Sequence, residues 1–330
     1  MTKRLIRLEP GHALLDITSY ARRGPGDRVH MTPEEIQLLS RTAHRTPEVM
    51  VKVLTKGGGD LRAVGRHLNY LSRDGKVEIE TDDGRYLSGQ GVEEELLEDW
   101  DLDLEEARRT VALRSRPGIG QPKLVHKVVF SMPAGTPADG LFRGAQAFAR
   151  ETFGAKHRYA MVLHTDEPHP HVHMVIKAMS EDGVRLNIRK ATLREWRREF
   201  ARHLRVQGIS ANATDKAVRG ATRANLSDGM YRAMQRGAFR RNWEHLGAPA
   251  VERKAASEAA SKESLQRTRG QVEQGWLAAA EILARQGQQD LAWYVRRFTE
   301  TLPPVRTDQE LLRKAPNPRE GRLPREELTR

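Results

Sequence analysis

The sequence predicts an α+β fold: an antiparallel sheet with helices packed on one face, followed by a mainly helical C-terminal region. Three observations carry that expectation. Apolar residues of period two and of period 3.6 succeed one another in the order strand, helix, acidic excursion, strand, helix, strand, strand, helix, which suits a sheet with helices layered on it. Two adjacent apolar runs, 158–164 and 171–178, read as successive strands. Residues 225–300 are rich in Ala, Leu, Glu, Arg and Gln, which favour helix.

Each element has a local reason. Residues 1–48 are basic and mixed, with Pro25-Gly26 as a breaker and Thr32-Pro33-Glu34-Glu35 as a helix start; they form an accessory arm. Val49–Thr55 is a strand, Gly57-Gly58-Gly59 a turn, and Asp60 caps a helix over Leu61–Ser72 that Gly75 stops. Between Glu93 and Glu106 stand nine acids and no base, an excursion expected to be solvated and turned away from phosphate. Lys123–Ser131 is a core strand ending at Pro133-Ala-Gly135. Residues 137–153 form a helix with Leu141, Ala145, Phe148 and Phe153 facing inward, and residues 192–207 a very basic helix. The expected organisation is an arm over 1–48, a catalytic domain over 49–220, a helical region over 221–301 and a flexible basic tail over 302–330.

The chemistry concentrates in His164-Thr-Asp166-Glu-Pro-His169-Pro-His171-Val-His173, which holds four of the twelve histidines. Along a strand side chains alternate, so His171 and His173 point to one face while Val172 and Met174 point to the other. His164, ending the preceding strand, can close a three-histidine facial metal site with open positions for a substrate oxygen. Asp166 could hold one imidazole in its tautomer. His169 falls in the loop, where ligation and a solvent-exposed or DNA-contacting role are equally open.

Charge sets the partner class. The chain has 330 residues, a net charge of +12 and no cysteine. That charge favours an acidic polymer, nucleic acid before anionic membrane. No apolar run reaches bilayer length and the N-terminus lacks the apolar core of a signal peptide, so membrane insertion is not expected. Lack of cysteine excludes disulfides and thiolate ligands and suits a cytoplasmic protein. A metal beside cationic surface suggests phosphoryl chemistry, with Tyr, Ser, Thr and His as the remaining nucleophiles. Of the six tyrosines, Tyr70 lies roughly 140° from the apolar stripe of Leu61, Val64, Leu68 and Leu71. That places it off the core side, as a reactive group or as an ordinary surface tyrosine.

Four blocks resemble the relaxases of conjugative and mobilisable plasmids, particularly the branch of the Ti-plasmid border endonuclease: Val51–Gly59, Leu68-Asn-Tyr70-Leu-Ser-Arg73-Asp-Gly75, Val128–Thr136, and the histidine block with its His–hydrophobic–His pair. The resemblance covers roughly residues 49–220 and implies a relaxase-type palm. It implies that Tyr70 attacks a DNA phosphodiester at an origin of transfer, leaving a 5′-phosphotyrosyl link and a free 3′ hydroxyl. His164, His171 and His173 would hold one divalent metal, Mg²⁺ or Mn²⁺, with no nucleotide cofactor. Asp166 would support a histidine or help take the phenol proton, and Ser131 would help position DNA. Lys177 stands where the family often has Asn, and could contact phosphate as a point charge. Implied partners are single-stranded DNA, a relaxosome accessory protein and a type IV secretion coupling protein, with translocation to a recipient cell; the tail arginines Arg319, Arg322, Arg325 and Arg330 look like a secretion signal.

Arg73, Arg189, Lys190, Arg194, Arg197 and Arg198 are the expected phosphate contacts, while Trp196 and Phe200 are expected to pack inward. Two other readings compete. A rolling-circle initiator or transposase of the same superfamily would usually place its tyrosine after the histidine pair. A non-catalytic DNA-binding or scaffold protein would not need Tyr70 and all three histidines intact.

Overall fold

A computed structural model of the chain describes Ile17 and residues 30–54, 58–114, 122–154, 156–221, 248–307 and Glu310. Its backbone contacts form two units: one from residues 45–213, the other joining residues 15–44 to those from 214 onward. Helix α1 (Pro33–Ala43) belongs to the second. The first runs β1 (Met50–Leu54), α2 (Leu61–Leu71), β2 (Ile79–Thr81), β3 (Tyr86–Leu87), α3 (Val92–Asp99), α4 (Leu102–Arg114), β4 (Val125–Ser131), α5 (Ala138–Phe153), β5 (Tyr159–His164), β6 (His171–Lys177) and α6 (Lys190–Val206).

The sheet is six-stranded and antiparallel, in the order β1-β4-β6-β5-β2-β3. Register fixes which residues share a row. Met50, Ser131, His171 and His164 lie side by side; the next row on the same face is Lys52, Val129, His173 and Val162; the third is Leu54, Lys127, Val175 and Ala160. The alternate residues point to the rear face. There Val51, Val128, Phe130, Met161, Val172, Met174 and Ile176 pack under α5 and α6, meeting Leu141, Phe148, Phe153, Trp196, Phe200 and Leu204. Phe130 lies 5.1 Å from both Phe148 and Phe200, between ring centroids. The helices touch closely at Gly144, where a Cβ would stand 2.6 Å from Leu204 Cδ2. Burial of so many large apolar side chains, each contributing about 1.5–3 kcal/mol, makes this layer the foundation of the unit.

The α+β class and the rear helix layer are as the sequence indicates, and Trp196 and Phe200 do face inward. To the expectation of helices on one face the structure adds a second layer on the front. Val64, Leu68 and Leu71 of α2, Val92 and Leu96 of α3, Trp100, and Leu102 of α4 pack on Ile79, Ala160, Val162 and Val175. The acidic stretch is therefore not simply solvated. Val92, Leu96, Trp100 and Leu102 fall at helical spacing and are buried, while several acids meet partners: Asp99 binds Arg158 at 2.7 Å and Arg85 at 2.9 Å, and Glu106 accepts from Leu61 N at 3.1 Å.

Helix α2 begins as read: the Asp60 side chain accepts from Ala63 N at 2.8 Å. It ends before Gly75, whose positive φ of 77° lets the chain turn against the Gly89 carbonyl with no room for a Cβ.

The second unit contains α1, α7 (Ala248–Arg285) and α8 (Gln289–Glu300). Ile17, Met31 and Leu39 share a core with Val218, Val272, Trp276, Leu283, Val295 and Phe298. Thr32 and Glu35 form a capping box on α1. Residues 302–307 and Glu310, grouped with the tail in the sequence reading, are bonded to α7: Lys262 Nζ reaches Val305 O at 2.9 Å and Glu310 at 2.7 Å. The tail arginines, Pro25-Gly26 and Gly57 lie outside the described residues. No described helix is long and apolar enough to cross a membrane.

Candidate active site

The three histidines meet because β5 and β6 pair as neighbours. Antiparallel register sets His164 opposite His171, and the two-residue period brings His173 to the same face. Ring centroids are 5.4 Å apart for His164 and His171, 4.9 Å for His164 and His173, and 5.0 Å for His171 and His173. One ligand nitrogen from each lies within 4.8 Å of the others.

Their hydrogen bonds make them fit for a metal. His164 Nε2 is 2.8 Å from the Leu71 carbonyl and acts as donor there, which leaves Nδ1 as a buried lone pair with no partner. His171 Nδ1 donates to the His169 carbonyl at 3.0 Å, leaving Nε2 free to ligate. His173 Nδ1 is likewise buried and without a partner. Backbone carbonyls thus do the orienting that second-layer groups do around bound metals. Burial, followed by the neighbouring histidines, pushes His173 down to about 3; burial also pushes His164 down. Both are neutral near pH 7, the form that binds a cation.

Tyr70 stands on the last turn of α2 and is 58% exposed, as its position off the apolar stripe requires. Helix α2 lies on the front face, so phenol and histidines share a side of the sheet. The link is direct: the carbonyl bonded by His164 belongs to Leu71, next in sequence to Tyr70. His67, one turn earlier, lies 6.5 Å from the Tyr70 ring and 6.3 Å from the His173 ring. Burial, then the charge of Lys127, pushes His67 down to about 4.

Arg73 and Asp166 complete the cluster. The Arg73 guanidinium carbon sits 4.9 Å from the centre of the Tyr70 ring, and its Nη2 is 2.6 Å from Asp166 Oδ2. Hydrogen bonding to Tyr70, and then to Asp166, holds the Arg73 pKa above its ordinary value. Desolvation pushes the Asp166 carboxyl up, but Arg73 outweighs it and the net shift is downward.

The other expected residues divide by place. Ser131 is in the row of His171 and buried, its Oγ donating to Met132 O. His169 is exposed in the β5–β6 loop and contributes its carbonyl. Lys177 ends β6, four residues past His173, and pairs with Glu181 at 3.1 Å, away from the histidines. Arg189, Lys190, Arg194, Arg197 and Arg198 cap or belong to α6, which packs on the rear face. Arg197 is 3.7 Å from Glu48 and Arg198 3.2 Å from Glu199. Sequence reasoning missed His67, and it missed Met50 and Lys52, which lie exposed at the β1 end of the histidine rows. The helical spacing of His67 and Tyr70 could have signalled the first; the others depend on strand register.

Residues 70–209 match the family model for the nuclease domain of MobA/VirD2-like relaxases. The chain is also similar to the T-DNA border endonucleases VirD2 of Agrobacterium fabrum (24% identical over 215 residues, covering 57% of this chain and 44% of that protein), Rhizobium radiobacter (25% over 200 residues, 57% and 47%) and Rhizobium rhizogenes (24% over 217 residues, 58% and 46%). The chain spans about half the length of these curated relatives.

Proposed function

Because residues 70–209 match the nuclease domain of MobA/VirD2-like relaxases, we propose that this chain is a relaxase that nicks and rejoins single-stranded DNA at an origin of transfer by tyrosine transesterification. The observation that carries the reading is the bond from His164 to the carbonyl beside Tyr70, which sets an exposed phenol at the rim of a three-histidine cluster. Tyr70 Oη gives up its proton and attacks the scissile phosphorus, the bond from phosphorus to the 3′ oxygen breaks, and the leaving 3′ oxygen takes up one proton from solvent to depart as a hydroxyl, so that protons balance overall. The phosphodiester is exchanged for a phosphotyrosyl ester, so a 3′ hydroxyl can attack in turn and reseal the strand without a nucleotide cofactor.

His164, His171 and His173 would hold one divalent cation. When bound it polarises a nonbridging phosphate oxygen and offsets the charge that builds in the transition state. Three neutral imidazoles suit Mn²⁺ better than Mg²⁺, which prefers an all-oxygen shell. The DNA path we propose crosses the exposed β1 end of the front face at Lys52 and runs past Arg66 of α2 and Arg73 just beyond its end. The α6 arginines stand behind the sheet and are left out of it. The same reading brings a relaxosome accessory protein and a type IV coupling protein as partners, with nicking in the cytoplasm before transfer to a recipient.

The test is an incubation with Mn²⁺ or Mg²⁺ and end-labelled oligonucleotides tiling the cognate transfer region, resolved on a denaturing gel. A covalent protein–DNA adduct that disappears in Tyr70→Phe is expected. Cleavage without an adduct would mean a hydrolytic nuclease instead, and binding without cleavage would favour a non-catalytic role.

A further inference from the structure

We propose that Arg73 and Asp166 form a positioning pair for Tyr70, with Asp166 anchoring the guanidinium and Arg73 holding the phenol and receiving the scissile phosphate. The inference rests on Tyr70 being the nucleophile and adds what sets its geometry.

Asp166 sits two residues past His164, where support of a ligand histidine is the obvious role. The bonds run otherwise. The outer nitrogens of His164 and His171 are taken by the carbonyls of Leu71 and His169, and the Asp166 carboxylate is turned to Arg73 at 2.6 Å. That contact ties the end of α2 to the loop carrying the histidines, across 93 residues of sequence. Arg73 in turn lies 4.9 Å from the Tyr70 ring, within cation–π range. A guanidinium has five donors in a fixed fork, so one bond to Asp166 leaves others for phosphate oxygens.

The backbone gives a second, independent sign. Arg73 and Asp74 have φ of 54° and 57°, left-handed values that non-glycine residues rarely adopt. The turn is held by several bonds: Asp74 N to Asn69 O at 3.0 Å, Asn69 Nδ2 to Asp74 Oδ1 at 2.9 Å, Gly75 N to Ser72 Oγ at 3.1 Å and Val77 N to Ser72 O at 2.7 Å. A helix that only needed to end would put glycine first at this bend. Here glycine comes third, and the strained conformation aims Arg73 between Tyr70 and Asp166.

The experiment compares wild type, Arg73→Gly, Arg73→Lys, Asp166→Asn and the double variant Arg73→Gly/Asp166→Asn in the full chain. Arg73→Gly keeps a backbone suited to the bend while removing the side chain. Single-turnover adduct formation is measured on the oligonucleotide that the tiling experiment identifies, and Mn²⁺ binding by calorimetry. Both Arg73→Gly and Asp166→Asn should slow adduct formation about 10–100-fold, as loss of an orienting partner does. Arg73→Lys should rescue only weakly, and the double variant should be no slower than Arg73→Gly, because Asp166 acts through Arg73. Mn²⁺ affinity should be unchanged throughout. Weakened Mn²⁺ binding in Asp166→Asn, or multiplied losses in the double variant, would assign Asp166 to the histidines and overturn the pair. Wild-type rates in both single variants would overturn it too. Failure of the underlying reading looks different: an adduct that persists in Tyr70→Phe removes the nucleophile and the pair with it.

Discussion

On the rear face of the sheet Val128, Phe130, Val172, Met174 and Ile176 meet α5 and α6 in a continuous apolar core; on the front face the residues between them include Lys127, Ser131, His171 and His173. The strands are the same and the side chains differ by one step of sequence. The rear face is given wholly to apolar packing at these positions, whereas the front face divides its rows between packing under α2, α3 and α4 and the chemistry of the histidines. Polar groups with buried, unpartnered nitrogens, such as His164 and His173, are tolerable on a strand whose other side is firmly packed. The comparison teaches that the site is held from behind, so the two faces should fail in different ways.

The largest expected effect breaks the rear face. Phe148 is fully buried and contacts Phe130, Phe153, Trp196 and Phe200. Phe148→Ala should cost about 3–5 kcal/mol, read as a lower urea midpoint. The fraction still folded should form adduct at the wild-type rate, since no group of the front face has changed. Retained stability would mean that the core is less tightly packed than its ring contacts indicate.

A smaller effect sharpens the contrast in DNA contacts. Lys52 is exposed in the row of His173, whereas Arg198 lies on α6 behind the sheet. Lys52→Glu should weaken binding of the nick-site oligonucleotide and lower its log–log salt slope by about 1, as expected for one lost phosphate contact. Arg198→Glu should leave both unchanged. The reverse pattern would move the DNA path to the rear.

Much of this division can be read in the sequence, and the limits have physical causes. Leu141, Ala145, Phe148 and Phe153 mark α5 because nothing interrupts their helical period. His171 and His173 mark a ligand pair because period two is a local property. The front helix layer was obscured because nine acids surround Val92, Leu96, Trp100 and Leu102, so charge masks a real apolar stripe. The basic helix was only partly legible for a different reason. Amphipathic spacing tells which side of α6 turns inward, but not which face of the sheet it covers, and that decides whether its arginines can reach the site. Lys52 and Met50 gain their meaning from β1–β4 register, a pairing across most of eighty residues that no local pattern encodes.

The smallest effect concerns a cation placed among the front-face rows. Lys127 is 4% exposed, beside Val175 of β6 and Leu54 of β1. Burial pushes its pKa down to about 8, with Asp60 opposing the shift and Lys123 and Arg66 adding to it. An unfolded lysine titrates near ~10.4. Between about pH 8 and that value the unfolded chain binds the extra proton, so the lysine's contribution to stability rises with pH across the window. Below about pH 8 both states are protonated and the cost of the buried charge is constant and complete. Lys127→Met should therefore raise the urea midpoint most at pH 7, and the advantage should shrink as pH climbs toward 10. Parallel curves for the two proteins would show that the ammonium is solvated in the folded state. A narrowing gap would show that the front face carries a charge at some expense of stability, which the apolar rear face never does at Val128 and Phe130.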